Sequence, residues 1–323
     1  MEKLLITIVV LAIPAYFYTG LVNTIDRFEK EPTRYLIAAF AWGAFPAIIF
    51  AVILQLIFAI PVAEVFGEQT FGSQLMEASV GAPVTEEFLK GIAVAIIYWT
   101  RRHEFDGWVD GIVYGATAGF GFAYVENIFY LMGTETWEDW GTLLILRTVV
   151  FGGLHGFWSA LVGMGFGLAR YQHNFLVKIV LISGGLLTAM LGHLIHNGAV
   201  TLVEVTEGSS FLVALLNYGL LILLIVALWF IGGFVEHRKL KQYLADEVPQ
   251  VISSECYQGI CAPRSSQLKS LGIHGKHKKA LLQVAGELAQ KKLQLQKMGE
   301  EKDNSQRIEQ LRAELQRLSR LES

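Results

Sequence analysis

Val84-Thr85-Glu86-Glu87-Phe88-Leu89-Lys90 lies inside an otherwise apolar run from about Val80 to Thr100. Such a run is long enough to cross a bilayer, because about 20 residues in a helix cover the hydrocarbon core. An ionised side chain at the centre of a spanning helix costs roughly 2.5–3.5 kcal/mol on insertion scales. Two adjacent carboxylates therefore need partners inside the protein, a function there, or both. Lys90 stands four residues from Glu86 and three from Glu87, so it can neutralise either one on the helix face. The two glutamates project about 100° apart on a helix, so one can face a reaction centre while the other takes a structural partner.

The rest of the chain supplies the membrane context. Of its 323 residues 53% are hydrophobic and only 17% charged, too apolar for an ordinary soluble protein. Seven apolar segments stand out, at about 4–22, 35–60, 79–100, 108–132, 142–169, 176–203 and 211–235. The first is read as a retained span rather than a cleaved leader, since no small-residue cleavage site follows it. Alternate loops carry Arg27, Lys30 and Arg34, then Arg101 and Arg102, then Arg170 and Lys178, then Arg238, Lys239 and Lys241. The intervening loops hold Glu64, Glu68, Glu77, Glu135, Glu138, Asp139, Glu204 and Glu207, with no Lys or Arg. The positive-inside rule then places the N-terminus outside and the C-terminus in the cytoplasm. The expected fold is an all-α polytopic membrane bundle over 1–235, with 61–78 as its longest external loop. Gly111, Gly115 and Gly119 recur every fourth residue and line one helical face, which permits close helix approach.

Residues 236–323 are different material. From Glu236 onward Lys and Arg outnumber Asp and Glu 16 to 11, whereas the preceding part has 10 against 18. Residues 249–266, rich in Pro, Ser and Gly, read as a linker. Beyond them 276–298 reads as an amphipathic helix. Asp303-Asn304-Ser305 offers a cap for a second, with Ile308, Leu311, Leu315, Leu318 and Leu321 at helical spacing. A cytoplasmic helical hairpin results, suited to self-association or a tail-mediated partner; no nucleic acid is expected. Cys256 and Cys261 are read as reduced cytosolic thiols, because C-x4-C is too loose for a zinc or redox motif.

Other spans also carry polar residues at matching depth. With this topology Glu86 and Glu87 lie roughly 10 Å below the outer face, Glu126 roughly 8 Å, His193 about 15 Å and His155 about 20 Å. Four helices thus deliver carboxylates and imidazoles to the outer half of the bilayer. A desolvated glutamate beside a histidine can activate water as a general base. His155 and His193 could hold a developing oxyanion, with Asn197 as a further donor. Alternatively Glu86, Glu87, Glu126, His155 and His193 could supply ligands to a zinc ion that activates the same water. Lys90, Glu126, Asn127, Asn197 and His196 are read as supporting residues, and Arg147 as a partner for Glu126. Singly, each has a bland reading: a neutralised pair with Lys90, a helix-end carboxylate, a histidine bonded to a backbone carbonyl.

At these residues the chain resembles the PrsW family of bacterial intramembrane proteases, distantly similar to the CAAX prenyl endopeptidases. Its EExxK motif is matched by Glu86-Glu87-Phe88-Leu89-Lys90, and its FxxxEN motif by Phe122-Ala123-Tyr124-Val125-Glu126-Asn127. HxxW[ST] is matched by His155-Gly156-Phe157-Trp158-Ser159. The last motif resembles His193-Leu194-Ile195-His196-Asn197, where His196 replaces the family's more usual tryptophan. Asp26-Arg27-Phe28-Glu29-Lys30-Glu31-Pro32 and Phe40-Ala41-Trp42-Gly43 resemble its first loop and second span. The resemblance covers about 20–235. It implies hydrolysis of a peptide bond in a single-pass membrane protein, with an anti-sigma factor as the family's substrate, in a bacterial plasma membrane.

The expected activity is therefore an intramembrane endopeptidase, with Glu86, Glu87, His155 and His193 as catalytic candidates. The residues leave glutamate-activated water and a zinc-bound water both open; the adjacency of the two glutamates leans toward the former. A proton- or cation-coupled transporter would also place Glu and His in the membrane. It fits less well, because the cytoplasmic halves of these spans are nearly free of ionisable residues and no pair of broken spans matches. A non-catalytic scaffold acting through its tail is the third reading.

Overall fold

A computed structural model describes residues 1–26, 30–263, 265–269, 272–273, 275–301 and 303–320. Arg27, Phe28 and Glu29 of the first-loop motif, and Leu321 of the tail pattern, lie outside the described residues. The described residues are helical throughout, without strands: α1 (Glu2–Val22), α2 (Thr33–Trp42), α3 (Ile48–Phe66), α4 (Phe71–Met76), α5 (Ala82–Thr100), α6 (Trp108–Met132) and α7 (Trp137–Ile145). They continue as α8 (Leu154–Ala169), α9 (Phe175–Thr201), α10 (Ser209–Tyr243), α11 (Ser254–Ile260), α12 (Gly275–Met298) and α13 (Asn304–Arg320). Two compact units are present: one comprises residues 1–24 and 31–226, the other residues 25–30 and 227–323.

Six of the seven apolar segments fall in the first unit and the seventh, in α10, runs from it into the second; all are mainly helical, as a polytopic membrane protein requires. Among the described residues, five stretches are long and apolar enough to cross a bilayer: Glu2–Val22, Thr33–Phe66, Trp137–Ala169, Phe175–Thr201 and Ser209–Glu247. The two remaining predicted spans, α5 and α6, carry the ionisable and glycine-rich sequence. Their enclosure explains the exception. Glu86, Glu87 and Lys90 on α5 are buried, and α6 is buried continuously from Gly111 to Phe122.

The α6 glycines press against α8. A Cβ added at Gly111, Gly115 or Gly119 would lie 2.0, 2.1 or 2.2 Å from the carbonyl oxygens of Gly163, Ser159 and His155 respectively. Only glycine permits this approach, and it brings the start of α8 against the middle of α6.

Three π-turns occur among the described residues: Gly43–Ala47 and Glu77–Gly81 lead into α3 and α5, and Leu146–Val150 follows α7. The second makes helix of most of the predicted external loop 61–78: α3 runs on to Phe66, and α4 leads through the turn into α5. In that turn the Ala82 N–H reaches back to Glu77 O. The corresponding partner for Ala78 O would be Pro83, which has no N–H. Asn197 on α9 fills the gap by donating its amide to Ala78 O at 3.0 Å. The third π-turn interrupts predicted span five, which breaks at 151–153 before α8 begins. A Cβ at Gly152 would meet Thr148 O at 2.0 Å and one at Gly153 the Phe157 ring at 2.4 Å, so both glycines are needed there. The Tyr18 hydroxyl donates to Thr148 O at 2.8 Å, satisfying a carbonyl that the break exposes.

The second unit has its own apolar core. Leu281, Ala285 and Leu288 of α12 meet Ile308, Leu311 and Leu315 of α13, which pairs the predicted hairpin. The start of α13 is tied by Glu300, which accepts from the Ser305 N–H at 3.1 Å. Residues 249–266, expected as a linker, instead carry α11 and contribute Ile252, Cys256, Ile260 and Cys261 to this core. Pro, Ser and Gly suggested a linker, but the apolar residues between them fall on one buried face. Neither cysteine forms a disulfide among the described residues. Glu247 is buried and accepts from Lys292 at 2.6 Å and from Arg312 Nε at 2.9 Å.

Candidate active site

Four helices of the first unit converge on one buried polar cluster. Glu86, Glu87 and Lys90 come from the first turns of α5, Glu126 and Asn127 from the outer part of α6, His155 from the first turn of α8, and His193 from α9. The break at 151–153 matters here. It starts α8 within the span, so the His155 imidazole leans back over the helix N-terminus, where side chains of a first turn point.

The two glutamates have different surroundings. Glu87 is fully buried and saturated: its Oε1 accepts from Lys90 Nζ at 2.5 Å and meets His193 Nδ1 at 2.9 Å, while its Oε2 accepts from the Ser159 hydroxyl at 3.1 Å. Glu126 is likewise occupied, with Arg147 Nη2 at 2.5 Å and His155 Nε2 at 2.9 Å. Arg147, on the third π-turn, also donates from Nε to Asn127 Oδ1. Glu86 is 4% exposed, its Oε1 accepts from Gln55 Nε2 at 3.2 Å, and its Oε2 has no hydrogen-bond partner. Lys90 Nζ is 3.7 Å from that oxygen, beyond hydrogen-bonding distance.

The same pattern leaves one nitrogen on each imidazole untouched by a carboxylate. Glu87 occupies Nδ1 of His193, leaving Nε2; Glu126 occupies Nε2 of His155, leaving Nδ1, which faces Lys90 Nζ at 3.2 Å. A carboxylate behind each imidazole is the arrangement that orients histidines for ligation or proton transfer. Trp158 fixes the ring planes, stacked on His193 at 3.9 Å and edge-on to His155 at 5.3 Å. Glu86, Glu87 and Glu126 against Lys90 and Arg147 leave one negative charge uncompensated when the imidazoles are neutral. That charge sits on Glu86, where a buried carboxylate is costly without a proton or a cation. One ligand atom each from Glu86, His155 and His193 lie within 4.8 Å of one another. The unpartnered Glu86 oxygen, two imidazoles that each keep one nitrogen clear of the carboxylates and the two carboxylates behind them fit a His2Glu metal centre, with Lys90 beside the His155 nitrogen.

The other residues singled out in the sequence lie nearby in different roles. His196 is buried with its Nδ1 unpartnered, edge-on to Phe151 at 4.7 Å. Asn197 ties α9 to the turn before α5. Gln55 was missed by sequence reasoning, although a lone glutamine in the apolar run Ile48–Ile60 was the available signal. Ser159 was quoted only as part of a motif. Side-chain exposure is 14% for His155, 16% for Glu126 and 23% for Arg147, against none for Glu87 and Lys90, so the cluster opens on the Glu126 side.

Comparison with known proteins bears on the same helices. Residues 31–230 match the family model described as PrsW family intramembrane metalloprotease. The protein named Protease PrsW from Geobacillus kaustophilus is 31% identical over 163 residues, covering 50% of this chain and 63% of that protein. Its namesake from Bacillus subtilis is 27% identical over 165 residues, covering 50% of this chain and 66% of the relative. The namesake from Oceanobacillus iheyensis is 29% identical over 164 residues, covering 50% and 69%. The chain thus matches just under two thirds of the length of the first two relatives. No solved structure matches. With the family model spanning every helix that contributes to the cluster, the chain belongs to the PrsW family.

Proposed function

We propose that this chain is an intramembrane endopeptidase that hydrolyses a peptide bond of a membrane-protein substrate in the outer half of the bilayer. The observation that carries the reading is the unpartnered Oε2 of buried Glu86, set among two imidazoles that are each held by another carboxylate. The family description, metalloprotease, supports a metal at this point. Glu86, His155 and His193 would hold it, zinc being the ion such a set suits, and it would supply Lewis-acid activation of a water.

The chain's own residues do the rest. Glu87 keeps the His193 proton on Nδ1 and the ring pointing its Nε2 inward; Glu126 does the converse for His155. Arg147 holds Glu126 in place, and Asn127 holds Arg147. Gln55 occupies one oxygen of Glu86 and thereby aims the other. The apolar wall of Phe122 and Trp158 keeps bulk water away, so these charges act in a low-dielectric setting. A single-pass substrate, an anti-sigma factor by resemblance, would approach from the open Glu126 side.

A second reading, with no metal, has one observation behind it: Lys90 Nζ already occupies His155 Nδ1. Glu86 Oε2 would then take the proton of the attacking water directly. Both readings make Glu86 indispensable, so Glu86→Gln should lower cleavage of a single-pass reporter in proteoliposomes at least 1,000-fold while the protein stays in the membrane. Chelation separates them: it abolishes cleavage in the first and spares it in the second. Wild-type cleavage by Glu86→Gln would overturn both. Gradient-driven uptake without cleavage would point to the transporter instead.

A further inference from the structure

Lys90 is the only lysine of the first unit that is wholly buried among the described residues, and its ammonium sits among atoms that would bind a metal. Its Nζ is 2.5 Å from Glu87 Oε1, 3.2 Å from His155 Nδ1 and 3.7 Å from Glu86 Oε2, and it lies over the Phe122 ring at 4.6 Å from the centroid. A lone pair on His155 Nδ1 cannot accept an N–H from Lys90 and bind an ion at once. The other imidazole nitrogen of His155 is taken by Glu126. Two cations therefore contend for one ligand atom and one uncompensated carboxylate.

We propose that Lys90 is a tethered stand-in cation that competes with the metal, holding Glu86, Glu87 and His155 together when no ion is bound and setting the affinity with which an ion displaces it. This rests on the metal-bound reading above. On loading, the Lys90 N–H···Nδ1 bond to His155 is exchanged for a bond from Nδ1 to the ion. Lys90 keeps its proton and its 2.5 Å pairing with Glu87, so no proton is released by the lysine. The competition has a structural benefit. Without Lys90 the metal-free cluster would bury Glu86, Glu87 and Glu126 against Arg147 alone, an excess of negative charge that would force the helices apart.

The test is zinc binding rather than cleavage. Full-length protein in nanodiscs is titrated with zinc against a chromophoric chelator, for wild type, Lys90→Met, Arg147→Met and His193→Ala. Lys90→Met keeps the length of the side chain and removes only the ammonium. It should bind zinc at least tenfold more tightly than wild type, and its metal-free form should melt at a lower temperature, with zinc restoring the difference. Arg147→Met removes a cation that touches no ligand atom but also releases Glu126 behind His155; it therefore combines weaker repulsion with a looser ligand and should raise affinity less than Lys90→Met. Equal or weaker zinc binding by Lys90→Met, or an effect no larger than that of Arg147→Met, overturns the proposal. His193→Ala distinguishes the two levels. If wild type binds one zinc and His193→Ala none, the metal site stands and the Lys90 result alone decides the competition. If no variant binds zinc, the metal-bound reading and the competition fall together.

Discussion

Gly119→Ala exchanges a hydrogen for a methyl group at a point where the structure has no room for it. The new Cβ would lie 2.2 Å from the His155 carbonyl oxygen, 2.7 Å from its carbonyl carbon and 2.9 Å from Gly156 Cα. Real Cβ atoms essentially never come closer than 3.0 Å to such neighbours, so the start of α8 must retreat by about 0.8 Å or more. All three obstructing atoms are backbone, which cannot rotate aside. His155 rides on that backbone. A misplacement of about 1 Å at a reacting group can cost on the order of 100-fold in rate, and overpacking costs about 1–3 kcal/mol in stability. The assay is reporter cleavage in proteoliposomes alongside thermal unfolding, with two controls. Gly111→Ala meets Gly163 O at a comparable 2.0 Å, but about 12 Å farther along the helix. It should destabilise as much and slow cleavage far less. Gly184→Ala on α9 meets nothing within 4 Å and should be silent in both measurements. A Gly119→Ala protein that cleaves at the wild-type rate, or a Gly111→Ala protein slowed just as severely, would refute the idea that this helix contact positions His155.

Two further outcomes concern the second unit. Glu247→Ala leaves Lys292 and Arg312 without their buried acceptor; removing one member of a buried pair costs about 3–5 kcal/mol, less here because Arg312 is a third exposed. Thermal scans and limited proteolysis should show this unit unfolding earlier while reporter cleavage persists; a parallel loss of cleavage would show that the tail is needed for hydrolysis. Cys261 is pushed up to about 11 by burial, so its thiolate is about a thousandth of the thiol at pH 8. Maleimide labelling of the native chain should be slow at neutral pH and keep rising toward pH 11; a plateau near pH 8.5 would contradict the packing of α11. The sign for stability follows: a raised value favours the folded neutral thiol, so this contribution is intact below the ordinary 9.0 and is lost as pH climbs through about 11.

The membrane architecture was legible because each lipid-facing span must be apolar over its full length, and composition alone reveals that. Span ends at Trp108 and Met132 even coincide with the helix limits. The interruption at 151–153 was not legible. Gly152 and Gly153 look like further members of a small-residue packing face, and only the structure shows the helix interrupted there, with no room for a Cβ at Gly152 against Thr148 O. Asn197 illustrates a second kind of loss. A buried amide beside a histidine invites an oxyanion role, yet its partner is set by a proline 114 residues earlier that leaves Ala78 O unpaired. Tertiary accounting of that sort has no local signature. Nor does Gln55: one polar residue in an apolar span signals a partner, but not which.

The adjacent pair Glu86-Glu87 shows what geometry adds to a motif. In the sequence the two are interchangeable, both within a helical turn of Lys90. Their roughly 100° separation sends one between Lys90, Ser159 and His193 and the other toward Gln55 and the open side. Glu87, with donors on both oxygens, is poorly placed to accept a water's proton or to bind an ion, since either would cost an existing charge-assisted bond. Glu86 has one oxygen free and no cation within hydrogen-bonding distance of it, so it gains from either event. The adjacent carboxylates are thus complementary: the saturated one ties α5 to Lys90, Ser159 and His193, and the other stays buried with one oxygen unpartnered.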